Sequence, residues 1–139
     1  MAVKTYDPNQ GALTYGTNII TGFAEDTMLT ISRNEDAWTL QIGVDGEGTR
    51  SKSNNKSGRV TFSLMQSSDS NKVMSGIAAI DEISGSQALP LQFKYKNELY
   101  IAETAWIVKF PDAEYARTAT ARVWVLESDI LVMRLAGES

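Results

Sequence analysis

The amino-acid sequence predicts a mainly β domain, an antiparallel β-sandwich or flattened barrel with one flanking α-helix at about residues 69–84 and a long extended loop at about 43–58. Three observations carry that expectation. Most of the chain consists of short segments of alternating apolar and polar residues separated by turn residues, the pattern of half-buried antiparallel strands. One stretch instead repeats apolar residues at three- and four-residue steps, the helical period. One stretch has almost no large apolar residue at all.

Taken in chain order, Ala12–Tyr15 and Asn18–Phe23 flank Gly16-Thr17 and read as a hairpin. Met28–Arg33 and Ala37–Ile42 flank Asn34-Glu35-Asp36, a cluster with turn chemistry, and read as a second hairpin. Gly43–Gly58 holds no large apolar residue except Val44, and it carries Arg50, Lys52 and Lys56 against Asp45 and Glu47. A structureless stretch of that length, roughly 16 residues, is unusual in a compact domain and is functional or disordered when it occurs. Two readings stand open: a solvated hairpin tip, or an arm that orders when it docks on another subunit.

Arg59–Met65 alternates, with Val60, Phe62 and Leu64 on one side and Thr61, Ser63 and Met65 on the other. From Ser68 to Gly85 the apolar residues Val73, Ile77, Ile80 and Ile83 fall at helical spacing and predict the face that covers the β core. Ser68, Asp69 or Ser70 can cap the helix start, and Gly85 sits where a left-handed C-terminal cap belongs. Pro90 precedes a strand ending at Tyr95, and Lys96-Asn97-Glu98 turns the chain into Leu99–Phe110. Arg122–Leu135 reads as a strand pair, or one bent strand, broken near Ser128-Asp129. One helix amid about eight strands is the arithmetic of a β domain with a helical lid.

At 139 residues the chain predicts a single domain, 1–139. A chain of this size buries about two-thirds of its unfolded surface, so it needs no metal or disulfide staple. It contains no Cys and no His, which removes disulfides, thiolate chemistry, zinc–thiolate sites and Ser-His-Asp triads. Thirteen basic against seventeen acidic residues leave a net charge of −4, unfavourable for a general electrostatic binder of nucleic acid. The opening MAVKTYDPNQGALTYG has no apolar run of the secretory kind, and Ile77–Ile80 falls far short of the roughly 20 residues of a membrane span. The expectation is a soluble, intracellularly made protein without membrane anchoring, cofactor or metal, and not an enzyme.

Local motifs agree. Asp45-Gly46-Glu47-Gly48 superficially resembles a calcium loop, but Arg50 and Lys52 follow at once and compete with a hard cation. The acidic pairs Glu25-Asp26 and Asp81-Glu82 stand beside no nucleophile. Trp38, Trp106 and Trp124 lie in strand-like runs, where aromatics serve as core or subunit interface. Exposed among polar neighbours they would instead suit a monomeric β-sandwich module that binds carbohydrate, the alternative reading. Thr30, Ser32, Thr39, Gln41, Thr61 and Ser63 form short, uncharged polar faces opposite apolar partners. Such a face is either ordinary solvent-facing sheet or a wall that lacks the cations able to trap a polyanion.

Met1–Pro8, Arg33–Ala37, Ser51–Gly58 (SKSNNKSG), Gln66–Asn71, and Thr104–Ile107 before Pro111-Asp112 form a set of short motifs spread over the chain. Together they resemble the tail tube proteins of contractile-tailed bacteriophages, related in fold to type VI secretion and bacteriocin tube proteins. The resemblance implies a β-sandwich with a helix at its flank, assembled as homohexameric rings that stack into a hollow tube, and a virion component assembled in the host cytoplasm. Neighbouring sheets would join into one barrel through which genomic DNA and the tape measure protein pass. A tail sheath protein would surround it, and baseplate and tail terminator proteins would end it. Under that resemblance Asp45, Glu47, Arg50, Lys52, Ser53, Asn54, Asn55 and Lys56 become the inter-subunit or inter-ring loop. Thr30, Ser32, Thr39, Gln41, Thr61 and Ser63 become lumen-facing candidates.

Overall fold

The computed structural model describes residues 11–24 and 29–135; the opening Met1–Pro8 motif, Met28 and the Glu25-Asp26 pair lie outside them. The described chain is mainly β. Strands β1 (Ala12–Tyr15) and β2 (Asn18–Ile20) form the first hairpin as expected, with Gly16 at φ 64° supplying the left-handed turn. Then come β3 (Leu29–Arg33), β4 (Trp38–Ile42), β5 (Gly48–Lys52) and β6 (Gly58–Met65), helix α1 (Ser70–Ser84), and β7 (Leu89–Tyr95), β8 (Glu98–Lys109), β9 (Ala121–Ser128) and β10 (Val132–Arg134).

An eight-stranded sheet runs β2-β1-β7-β8-β9-β6-β3, with β10 on β8, and every ladder is antiparallel. β8 is its spine: β9 lies along its second half and β10 continues on the same edge along its first half. β9 and β10 are therefore one bent strand interrupted after Ser128. The sheet curls back on itself without closing. Phe23, just past β2 at one end, bridges to Leu64 of β6 near the other. The result is a β-sandwich-like fold, not a closed barrel.

The curl encloses one core. Val60, Phe62 and Leu64 of β6 point into it together with Leu13, Tyr15, Leu91, Ala102, Trp124 and Leu126. The period-2 pattern of β6 is thus realised, with Thr61 and Ser63 on the other face. Tyr15 reaches across the interior and donates its hydroxyl to the Ala105 carbonyl at 2.8 Å. Burial, with the Asp81 carboxylate nearby, pushes its pKa up to about 12, so the hydroxyl remains a donor.

Helix α1 covers the core by a different arc from the one expected. Ser70, Met74 and Ala78 are buried and Ile77 packs partly, whereas Val73, Ile80 and Ile83 face outward. The buried residues recur every four positions, and two of them, Ser70 and Ala78, are small, which lets the helix come close. The bulkier branched residues occupy an adjoining arc that the narrow contact cannot cover. Its start is fixed by Ser68, whose hydroxyl accepts the Ser70 N–H at 3.2 Å, while the side chain of N-cap Asp69 makes no capping bond. Its end is Gly85 at φ 65°, bonded to the Asp81 carbonyl. Asn71 clamps the first turn to the sheet: its Oδ1 accepts the Trp124 indole N–H at 3.0 Å and its Nδ2 donates to the Met65 carbonyl at 2.8 Å.

The second expected hairpin does not form, because Asn34-Glu35-Asp36 bends the chain without reversing it. β3 pairs with β6, and β4 pairs with β5. Apolar Leu29 and Ile31 are drawn to Phe62 and Val60 of the core strand, which β4 could not offer them. Residues 29–65 are instead one long hairpin, interrupted where Asn34–Ala37 on one side face Ser53–Ser57 on the other. Bonds from Asn34 N to the Ser57 carbonyl and from Ser53 N to the Ala37 carbonyl carry the ladder across that bulge. The true reversal is at Asp45-Gly46, where Gly46 takes φ 86°. The stretch 43–58 is therefore not one structureless loop, since Gly48–Lys52 is strand β5.

Gly58, at the base of this hairpin, is buried against the β9–β10 interruption. A Cβ there would meet the Leu131 side chain and stand 2.9 Å from the Ser32 carbonyl oxygen. Gly58→Ala is expected to destabilise the fold by about 1–3 kcal/mol through overpacking. A lowered urea midpoint at unchanged slope is the measurement that checks it.

Candidate functional site

The distal half of the long hairpin, β4 and β5, projects as an arm on which every residue from Trp38 to Lys52 is exposed. Cross-strand pairing sorts it into two unlike faces. Trp38, Leu40 and Ile42 share one face with their partners Lys52, Arg50 and Gly48. Thr39 and Gln41 share the other with Ser51 and Thr49. The first face is apolar and cationic, with Leu40 and Ile42 each 65% exposed. The Arg50 guanidinium lies 4.0 Å from the centroid of the Trp38 ring and so stays on that face.

At the tip, Asp45 Oδ1 accepts the Glu47 N–H at 3.1 Å, the role of a turn residue and not of a cation ligand. At the base, Ser53 Oγ accepts from Asn55 N at 3.2 Å and Asn55 Oδ1 accepts from Ser57 N at 3.0 Å. These local turns shape the SNNKSG segment, while Asn54 and Lys56 are exposed beside them. Lys56 joins the base to the body by its backbone, its carbonyl accepting the Leu131 N–H at 2.9 Å.

The six short polar residues fall into two groups. Thr30 and Ser32 of β3 and Thr61 and Ser63 of β6 lie on the face of the main sheet turned away from the core, with Thr30 directly opposite Thr61. Thr39 and Gln41 belong to the polar face of the arm. The cation of the main-sheet wall, Arg59, is held by Glu127 at 2.6 Å.

Two apolar surfaces stand exposed. One is the arm face Trp38-Leu40-Ile42, whose signal was its period-2 alternation running into Asp45-Gly46. The other is the outer arc of α1, where Ile83 is 90% exposed. Of the remaining tryptophans, Trp124 is buried and Trp106 half-buried. Among the described residues no three acidic side chains are grouped to hold a metal ion, and no helix is long and apolar enough to cross a membrane.

The fold has counterparts. Structural protein ORF10 of Pseudomonas phage KPP10 is 29% identical over 133 residues, covering 88% of this chain and 77% of that protein. A tube-terminating cap of the anti-feeding prophage superposes with a TM-score of 0.62 at 12% identity, covering 98% of this chain and 95% of the other. A chain of the sheath–tube complex of the PVC extracellular contractile injection system does so with a TM-score of 0.62 at 12% identity, covering 95% and 93%. At such identities these two structures speak for the fold alone. The sequence itself goes further: residues 12–135 match the family model of the bacteriophage PhiTE tail tube protein. The chain belongs to that tail tube family, and is a structural component of the virion and not an enzyme.

Proposed function

We propose that this protein is the inner tube subunit of a contractile tail, forming homohexameric rings that stack into a conduit for DNA and template the sheath. The observation that carries the reading is the arm. A segment with no buried residue that exposes Trp38, Leu40, Ile42 and Val44 gains nothing for a monomer and calls for a partner. The terminal strands of the curled sheet, β2 and β3, add unpaired backbone edges that pairing between copies would satisfy.

On this reading Thr30, Ser32, Thr61 and Ser63 line the lumen, and Thr39 and Gln41 extend that lining along the arm. Arg59, neutralised by Glu127, would not hold phosphate. Asp45, Glu47, Arg50, Lys52, Ser53, Asn54, Asn55 and Lys56 make the contact between subunits or rings. The solved relatives named for a sheath–tube complex and a tube-terminating cap support a sheath and a terminator as partners. A baseplate at the other end, with tape measure protein and DNA passing inside, completes the assembly.

The test is the state of the purified protein at rising concentration. Rings or tubes in negative-stain micrographs, with a fast-sedimenting fraction, are expected. A protein that remains a monomer throughout and is missing from purified virions would overturn the proposal.

A further inference from the structure

A groove of about 530 Å³ runs along β8 and β10 on the face of the sheet turned away from the core. Apolar side chains line it along its length: Leu99 and Ile101 on β8, with Ile130 and Val132 on the neighbouring edge, Val132 directly opposite Ile101. One end carries the carboxylates Glu103 and Asp129, and the other carries Arg134. From Glu103 to Leu99 the groove is about 13 Å long at the strand rise of roughly 3.3 Å per residue.

The arm carries the opposite charges toward its two ends. Along its apolar face the pairs from base to tip are Trp38–Lys52, Leu40–Arg50 and Ile42–Gly48, with the Arg50 guanidinium turned back over the Trp38 ring, and Asp45 and Glu47 stand in the turn beyond them. Lys52 to Gly48 spans the same length of about 13 Å. We propose that the groove receives the arm of a second copy of this chain, an inference that rests on the tube reading and names the surface its arm binds. Arg50 and Lys52 meet Glu103 and Asp129, the aliphatic residues pack between, and the acidic tip lies at Arg134.

Only one direction works. Reversed, Arg50 and Lys52 would face Arg134 while Asp45 and Glu47 faced two carboxylates, and like-charge contacts reject a wrong register. The subunit's own arm leaves the body beside the groove and is held extended by the Asn34–Ser57 and Ser53–Ala37 bonds, so it does not fill it. A protrusion and a receptor on different surfaces of one chain make a heterologous contact, which propagates from copy to copy.

The absence of cysteine permits a clean test. Leu40→Cys subunits are mixed with Ile101→Cys subunits, assembled and mildly oxidised. A disulfide-linked dimer on a non-reducing gel is expected, and none from Leu40→Cys mixed with Val73→Cys, whose site lies on the helix. Tubes without the 40–101 dimer overturn the groove assignment and leave the tube reading standing. Failure of the unmodified protein to assemble overturns both. Should either cysteine itself block assembly, a charge swap decides. Arg50→Glu with Lys52→Glu is expected to abolish tubes, and adding Glu103→Lys with Asp129→Lys to restore them. Continued absence of tubes in the fourfold variant rejects the pairing.

Discussion

Replacing Trp38–Lys52 by Asn-Gly is expected to leave a folded monomer that forms no tubes. The Ser53 N–H already donates to the Ala37 carbonyl at 2.8 Å, the pair that a two-residue hairpin turn closes, so the new connection fits the existing backbone. The excised segment contains no buried residue and contributes nothing to the core. An isolated two-stranded ribbon is marginal in water, so its removal takes little from the body. The unfolding free energy in urea should change by about 1 kcal/mol at most. Assembly should fail completely, because the arm exposes Trp38, Leu40, Ile42 and Val44 beside Arg50 and Lys52, the surface proposed to meet another copy. Micrographs and sedimentation read the second outcome independently of the first. Normal tubes from this variant would remove the arm from the assembly mechanism.

How much of this was legible in the sequence depended on whether an element's reason for existing is local. β6 was, since Val60, Phe62 and Leu64 alternate with polar residues and all three are buried. So was the end of the helix, since only glycine takes a left-handed φ at little cost and Gly85 follows the last helical residue. β5 was not. Gly48-Thr49-Arg50-Ser51-Lys52 has no apolar residue to show a period, and it is a strand solely because β4 lies beside it. The turn that makes the pairing possible, Asp45-Gly46 after an alternating run, is present in the sequence but is masked there by its superficial likeness to a calcium loop. Asn34-Glu35-Asp36 carried the same kind of turn chemistry and became a bend, because the apolar face of β3 found β6.

The helix shows a second limit. Its apolar residues fill an arc wider than the sheet can cover, and periodicity cannot say which half is buried. Met74 and Ala78 took the core, and Val73, Ile80 and Ile83 remained outside. Gly58 shows a third. Its need to lack a side chain arises from Leu131, distant in sequence and brought near only by the β9–β10 interruption. The SNNKSG stretch is visible as a motif, while the reason for its terminal glycine lies in the fold.

Trp124→Ala is the single substitution expected to cost the fold most. Trp124 is 2% exposed on β9, paired directly with Phe62 of β6, and its ring lies 6.0 Å from that of Phe110. Truncation removes the largest fully buried side chain of the core and leaves a cavity that neighbours held in a sheet cannot collapse to fill. Large-to-small changes of this kind cost about 3–5 kcal/mol. The loss also reaches the helix, because the indole N–H is the donor that Asn71 Oδ1 accepts while Asn71 Nδ2 holds the Met65 carbonyl. Against a total stability of roughly 5–15 kcal/mol, this leaves the subunit partly unfolded at ordinary temperature. Loss of near-ultraviolet circular dichroism and a collapsed urea midpoint would register it. Trp124→Phe keeps most of the volume and loses the hydrogen bond, so it should fall between wild type and Trp124→Ala. Equal stability of all three would mean that β9 and α1 are not joined through this residue. The contrast with the arm variant then separates two kinds of failure: the arm is dispensable for folding and required for assembly, whereas Trp124 is required for the folded body on which any assembly depends.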